Sequence, residues 1–209
     1  MIEQAATVYV VDDDRAARES VIAMVGLKGL PAQGFGSAEE FLAFYDASRT
    51  GCLVVDVRMQ GMSGLQLQQE LKSRGCTLPV IVITGYADVP MAVRAMQNGA
   101  VTFLEKPCQE HELWRGIERA LNQEQAQQTL RRQRAEIETR MNTLTSDEVV
   151  VMRKLLEGLP NKRIAADLDI GLRTVELRRS NIMRKMEADS LSELVQMAIL
   201  INFLTPSIH

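Results

Sequence analysis

The segment TVYVVDDD, residues 7–14, decides how the chain reads. Five uncharged residues suited to a strand buried on both faces run straight into three carboxylates, Asp12, Asp13 and Asp14. The pattern recurs. Residues 32–35, 53–57, 80–84 and 101–104 form further short strand-like runs, and Asp56, Thr84 and Lys106 stand at or just beyond the ends of three of them. Helical periodicity fills the intervals 15–28, 38–48, 64–74, 88–98 and 110–121, with Ser37 and Glu40 at capping-box spacing in the second. Five βα units of this kind predict an α/β domain over residues 1–121, a five-stranded parallel sheet buried on both faces, taken as doubly wound with the order 2-1-3-4-5. Such a sheet gathers its reactive groups at the carboxyl ends of the strands, beside the point where strand order reverses.

The rest of the composition narrows the function classes. The 209 residues are 46% hydrophobic and 24% charged, which excludes fibrous and wholly disordered chains. A net charge of −3 is too mild to name a partner, so any polyanion site must be local. Cys52, Cys76 and Cys108 are odd in number and lack CxxC spacing, pointing away from a disulfide scaffold and toward a reducing cytoplasm. The longest apolar run, residues 194–204, is too short to span a bilayer, and no signal-like stretch precedes Asp12, so a cytoplasmic protein without membrane contact is expected. With His111 and His209 as its histidines, the chain has little material for a His-based triad or a multi-histidine metal site.

Residues 122–142 lack Gly and Pro and are rich in Gln, Glu and Arg. They predict a helical linker continuing the helix before it, with Leu130, Ile137, Met141 and Leu144 as a stripe that either pairs with a second copy or lies on a solvated single helix. Residues 143–209 read as all-helical, with capping boxes at Thr145/Glu148 and Ser190/Glu193. Between 161 and 185, seven basic residues face three acidic ones, Asp167, Asp169 and Glu176.

In the 2-1-3-4-5 order, strands one and three are neighbours, so Asp12–Asp14 and Asp56 are expected to converge. Clustered carboxylates repel unless a cation sits among them, and a hard divalent ion with oxygen ligands, Mg²⁺ or Mn²⁺, is the simplest resolution. Thr84 and Lys106 at the same sheet edge add a hydroxyl and an ammonium. A carboxylate nucleophile beside a metal, a cation and a hydroxyl suits in-line attack on a phosphoryl group, where catalysis is mostly positioning and charge neutralisation. No GxxxxGK loop is present, so a nucleoside triphosphate is not the expected donor.

The motifs VVDDD (10–14), VDVRMQGMSG (55–64), ITG (83–85) and EKP (105–107) resemble the receiver domain of two-component response regulators. The resemblance implies that Asp56 accepts a phosphoryl group from a sensor histidine kinase. It further implies that Asp13, Asp56 and the main-chain carbonyl of Arg58 coordinate Mg²⁺, with Asp12 acting through water. Thr84 and Lys106 would bind the phosphoryl oxygens, and Phe103 matches the aromatic switch position, where it is equally explained as core. One departure stands out: Gln60 occupies the usual proline position, which removes a fixed φ and is expected to loosen the loop.

Residues 144–186 resemble the LuxR-type helix-turn-helix of FixJ- and NarL-like regulators, through Leu144–Thr145, Glu148, Gly158, Asn161–Lys162, Ile164–Ala165, Thr174–Glu176, Arg179–Asn181 and Arg184–Lys185. The spacing agrees: a helix over 161–168, a turn over 169–172, then a recognition helix over 173–186. At about 100° per residue, Leu172, Val175, Ile182 and Met186 face the core. The opposite face presents Arg173, Leu177, Ser180 and Arg184, flanked by Glu176 and Asn181, for base edges in the major groove. Lys162, Thr174, Arg178, Arg179 and Lys185 lie where phosphate contact is expected, with Arg179 alternatively bridging to Glu148.

The last helix, 190–203, has Leu191, Leu194, Val195 and Ala198 on one stripe, leaving Met197, Leu200 and Ile201 for another surface. A homodimer on phosphorylation, binding a pseudo-palindromic operator in double-stranded DNA, is the expected partner arrangement, with RNA polymerase a further candidate. Two other readings were weighed. A haloacid-dehalogenase-like phosphohydrolase would carry a second Asp two residues after its nucleophile, where this chain has Arg58. A constitutive DNA-binding protein with an unphosphorylated receiver sits poorly with the complete set Asp13, Asp56, Thr84 and Lys106.

Overall fold

The computed structural model describes residues 6–46 and 49–203. The chain divides into two compact units, residues 1–127 and 128–209, the boundary falling inside one continuous helix.

The first unit follows the expected alternation. Strands β1 (Thr7–Val11), β2 (Ala32–Phe35), β3 (Gly51–Asp56), β4 (Val80–Thr84) and β5 (Thr102–Glu105) form one parallel sheet in the order β2-β1-β3-β4-β5. Side chains alternate across it. Tyr9, Val11, Leu53, Val55, Val80 and Val82 join Phe35, Phe41, Leu67 and Leu71 on one face, and Val8, Val10, Cys52, Val54, Ile81 and Ile83 join Val25, Leu113 and Ile117 on the other. Both faces are dry, as the uniformly apolar strands require.

The helices are α1 (Arg15–Leu27), α2 (Ala38–Phe44), α3 (Gly64–Ser73), α4 (Val89–Gln97) and α5 (Glu110–Met141). α2 stops four residues short of the expected end, because Tyr45 turns extended and its ring packs on Phe41; residues 47 and 48 lie outside the described residues. Ser37 caps α2, yet Glu40 reaches back to the Gly36 N–H rather than completing a box. The full box at Ser63/Gln66, opening α3, went unread in the sequence.

In the second unit the end of α5 packs with α6 (Ser146–Leu156), α7 (Asn161–Asp167), α8 (Leu172–Met186) and α9 (Leu191–Leu200). Ile137 is buried there, with Met141 and Leu144 against the same core, so that part of the linker stripe serves its own chain. Met197 is buried, and Leu200 and Ile201 are half-buried in that core. This corrects the expectation that these three residues await a second copy: they pack on the core of their own unit, which α6 and Ile137 of α5 help to build. Among the described residues, no helix is long and apolar enough to cross a membrane, and all three cysteines are free.

Candidate functional site

The carboxyl edge of the sheet is assembled by main-chain bonds. The N–H of Val57 donates to Ile83 O at 3.0 Å and that of Lys106 to Thr84 O at 2.7 Å, so Asp56, Thr84 and Lys106 leave adjacent strands side by side. Gly64 lets α3 begin against this edge. A Cβ there would stand 2.1 Å from Asp56 O, a contact only glycine avoids.

At the centre sits Lys106. Its Nζ lies 2.6 Å from Asp12 Oδ2 and 2.9 Å from Asp56 Oδ1, both carboxylates being nearly sealed from solvent. Burial opposes the ammonium charge, but hydrogen bonds to the two carboxylates outweigh it and raise the Lys106 pKa. Burial also raises the Asp56 pKa; Lys106 works against this and the charge of Asp12 adds to it. Asp56 Oδ2 accepts from the Arg58 N–H at 2.6 Å. Thr84 is fully buried, its hydroxyl engaged with the main chain of Tyr86, which donates N–H at 3.3 Å. The Arg58 guanidinium stacks 4.2 Å over the Tyr86 ring, joining the residues two positions beyond Asp56 and Thr84. Phe103 is half-buried against the core on the α3/α4 side of the sheet that also takes in Ala95.

The expected convergence of four carboxylates is only partly realised. Asp12 and Asp56 share Lys106, whereas Asp14 caps α1 by accepting from Ala16 and Ala17 N–H, at 2.8 and 3.2 Å. Exposed Asp13 accepts the Gln60 N–H at 3.0 Å. Among the described residues, no group of three or more His, Cys, Asp or Glu stands at metal-holding spacing. The repulsion anticipated between carboxylates is instead relieved by the lysine. Asp13, Asp56 and the Arg58 carbonyl nonetheless make an oxygen-only donor set, which fits a hard divalent cation.

The loop after β3 is also tied down more than the loss of proline suggested. Besides Asp13, Glu39 of α2 accepts the Met62 N–H at 3.0 Å, and N–H bonds hold the Glu39 carboxyl below the usual range. Sequence reasoning counted the lost φ restraint at Gln60 and overlooked the N–H that proline lacks.

In the second unit, α7, a short turn and α8 form the helix-turn-helix. Val175, Ile182 and Met186 are fully buried; Leu172, expected with them, is 38% exposed, because it opens the helix a turn before the packed surface begins. Arg173, Thr174, Glu176, Leu177, Ser180 and Arg184 are exposed along α8, and Lys162 on α7. Asn181 is half-buried. The basic residues at the flanks are engaged. Arg178 pairs with Asp147, and Arg179 Nη1 donates to Asn161 Oδ1 at 3.2 Å. Lys185 Nζ lies 2.7 Å from the buried Glu148 carboxylate, taking the bridging role considered for Arg179.

Residues 8–118 match the response regulator receiver domain, and residues 142–198 match the bacterial regulatory proteins of the luxR family. The chain belongs to the response regulators that carry a luxR-type DNA-binding domain. It is 45% identical over 193 residues to the transcriptional regulatory protein FixJ of Rhizobium meliloti, covering 92% of this chain and 95% of that protein. The response regulator protein TodT of Pseudomonas putida is 40% identical over 196 residues, covering 94% and 86%. Among solved structures, response regulator StyR matches with TM-score 0.84 at 38% identity, covering 93% of this chain and 98% of that one. Full-length FixJ from B. japonicum matches with TM-score 0.57 at 40% identity, covering 96% and 98%. This response regulator is accordingly a two-component transcriptional regulator, of a family that binds DNA rather than turning over a substrate. Its luxR-type domain implies DNA as a partner, and its receiver domain implies a sensor kinase.

Proposed function

We propose that Asp56 is the phosphoacceptor and that its phosphorylation by a sensor histidine kinase promotes dimerisation and operator binding. The observation that carries this reading is the pair of Lys106 contacts, to Asp12 and Asp56, at the edge where Thr84 also ends. Attack by an Asp56 carboxylate oxygen forms a P–O bond as the P–N bond to the kinase imidazole breaks, the electron pair leaving with that nitrogen. Lys106 and Thr84 then receive the phosphoryl oxygens, Lys106 as a point charge and Thr84 as a hydroxyl donor after releasing the Tyr86 main chain.

Mg²⁺ or Mn²⁺ would be held by Asp13, Asp56 and the Arg58 carbonyl, with Asp12 acting through water. When bound, such an ion supplies neutralisation of the charge that builds on the phosphoryl oxygens. Phe103, beside α4, follows the displacement of Thr84.

The dimer surface is that of α4, β5 and α5, with its apolar part on α4. Val89, Val93 and Met96 recur at helical spacing and are 76%, 47% and 50% exposed, an apolar strip that a second copy covers. Dimerisation pairs two α8 helices on a pseudo-palindromic operator. Arg173, Glu176, Leu177, Ser180, Asn181 and Arg184 read base edges, while Lys162, Thr174, Arg178 and Arg179 meet phosphates. Lys185 acts chiefly through Glu148. The protein works in the cytoplasm, where RNA polymerase is the partner through which a bound operator alters transcription.

The test is intact mass spectrometry after incubation with acetyl phosphate and Mg²⁺. A gain of one phosphoryl group, absent in Asp56→Asn and accompanied by dimer in sedimentation, is expected. Phosphorylation persisting in Asp56→Asn removes Asp56 from the role.

A further inference from the structure

The loop after β3 sends alternate peptide N–H groups to three carboxylates: Arg58 to Asp56 at 2.6 Å, Gln60 to Asp13 at 3.0 Å and Met62 to Glu39 at 3.0 Å. The middle bond joins residues 47 apart in sequence and ties the loop after β1 to the loop after β3. It exists because residue 60 is not proline, which has no N–H to give. We infer that the Gln60 peptide N–H is a resting-state latch on Asp13, a positioning group that competes with a divalent cation for that carboxylate. The inference rests on the reading of Asp13 and Asp56 as cation ligands.

The physical argument is competition. The N–H engages Asp13 Oδ2, so one lone pair of the carboxylate is taken, the group is held turned toward Gln60, and the positive end of the N–H dipole already offsets part of its charge. Charge-assisted hydrogen bonds are the stronger kind, but solvent reaches Asp13, so releasing this one should cost about three- to tenfold in cation affinity. Glu39 grips Met62 independently, so the loop keeps an anchor when Asp13 lets go. Gln60 thereby raises the divalent concentration needed for loading, a threshold set by the main chain rather than by a ligand.

The test measures Mn²⁺ affinity of the full chain by electron paramagnetic resonance, for wild type, Gln60→Ala, Gln60→Pro and Asp13→Asn. Gln60→Ala keeps the N–H and should match wild type within about twofold, whereas Gln60→Pro removes it and should bind about three- to tenfold tighter. In ¹H–¹⁵N spectra of the wild-type background, the Gln60 amide cross-peak should move in the same direction on adding Mg²⁺ and on introducing Asp13→Asn. The second measurement does not depend on proline, so it stands if the proline variant misfolds and separates a lost donor from a stiffened loop. A folded Gln60→Pro binding no tighter than Gln60→Ala, or a Gln60 cross-peak indifferent to Asp13→Asn, overturns the latch. Asp13→Asn binding Mn²⁺ as wild type does would instead remove the ligand reading beneath it.

Discussion

Lys185 on α8 and Glu148 on α6 form a bridge of 2.7 Å between two largely buried side chains, and the same ammonium donates to Thr143 O at 3.0 Å. Glu148 also closes the capping box of α6. One carboxylate therefore fixes the start of α6 and the end of α8.

Lys185→Ala should destabilise the second unit by about 1–3 kcal/mol, since it strands a buried carboxylate. Hydrogen exchange of α6 and α8 amides in the full chain reads this directly. A variant that loses affinity for DNA while keeping wild-type exchange rates would make Lys185 a phosphate contact instead.

The same bridge carries a pH dependence. Although burial opposes its charge, Lys185 and the Thr145 N–H hold the Glu148 carboxyl below the ordinary range. A lowered folded pKa contributes stability above the unfolded carboxylate pKa, and that contribution is lost as pH falls through the folded value. Acid melting of the second unit should thus steepen below about pH 4, and Glu148→Gln should flatten it. Identical acid profiles for the two proteins would refute the linkage.

Asp56 behaves in the opposite sense. Its pKa is raised, chiefly by burial, so the nucleophilic carboxylate is depleted at a higher pH than an ordinary Asp. The acid limb of labelling by phosphoramidate should begin correspondingly early, and Asp12→Asn, which removes a like charge, should shift it to lower pH. A raised folded pKa also means that ionisation of Asp56 costs stability as pH rises. Asp56→Asn should accordingly melt above wild type at pH 7, measured by circular dichroism.

Gly64→Ala places a methyl 2.1 Å from Asp56 O. The start of α3 must retreat, at a cost of about 1–3 kcal/mol, and the loop that carries Arg58 and Gln60 moves with it. Phosphorylation of Asp56, followed by mass, should slow even where the variant remains folded by circular dichroism.

Arg178 is held by Asp147, an exposed carboxylate that must yield before a phosphate can take its place. Asp147→Asn should tighten binding to random duplex by no more than about fivefold, because exposed pairs are weak. The gain should vanish in an Arg178→Ala background. A gain of equal size in both backgrounds would trace it to general charge and not to this pair.

Much of this was legible in the linear pattern because it depends on local periodicity. Uniformly apolar runs ending in Asp56, Thr84 and near Lys106 had to be strands of a doubly covered sheet, and parallel pairing then brought those ends to one edge. Val175, Ile182 and Met186 fell at core positions for the same reason. What failed involved partners far away in the chain. Met197, Leu200 and Ile201 looked unpartnered because nothing local shows that the core shared by the other helices of the unit will take them up. The bridge from Lys185 to Glu148 was equally out of sight, since Glu148 lies two helices earlier in the chain.

The sequence by itself determined the class of most elements, the parallel character of the sheet and the residue types at the reactive edge, since periodicity and strand hydropathy are near-neighbour constraints. Only the tertiary structure decided which charges meet: Lys106 between Asp12 and Asp56, Gln60 on Asp13, Lys185 on Glu148 and Arg178 on Asp147. Hydrogen bonds and ion pairs act over a few ångströms, and separations that small between distant residues are fixed only once the whole core has packed.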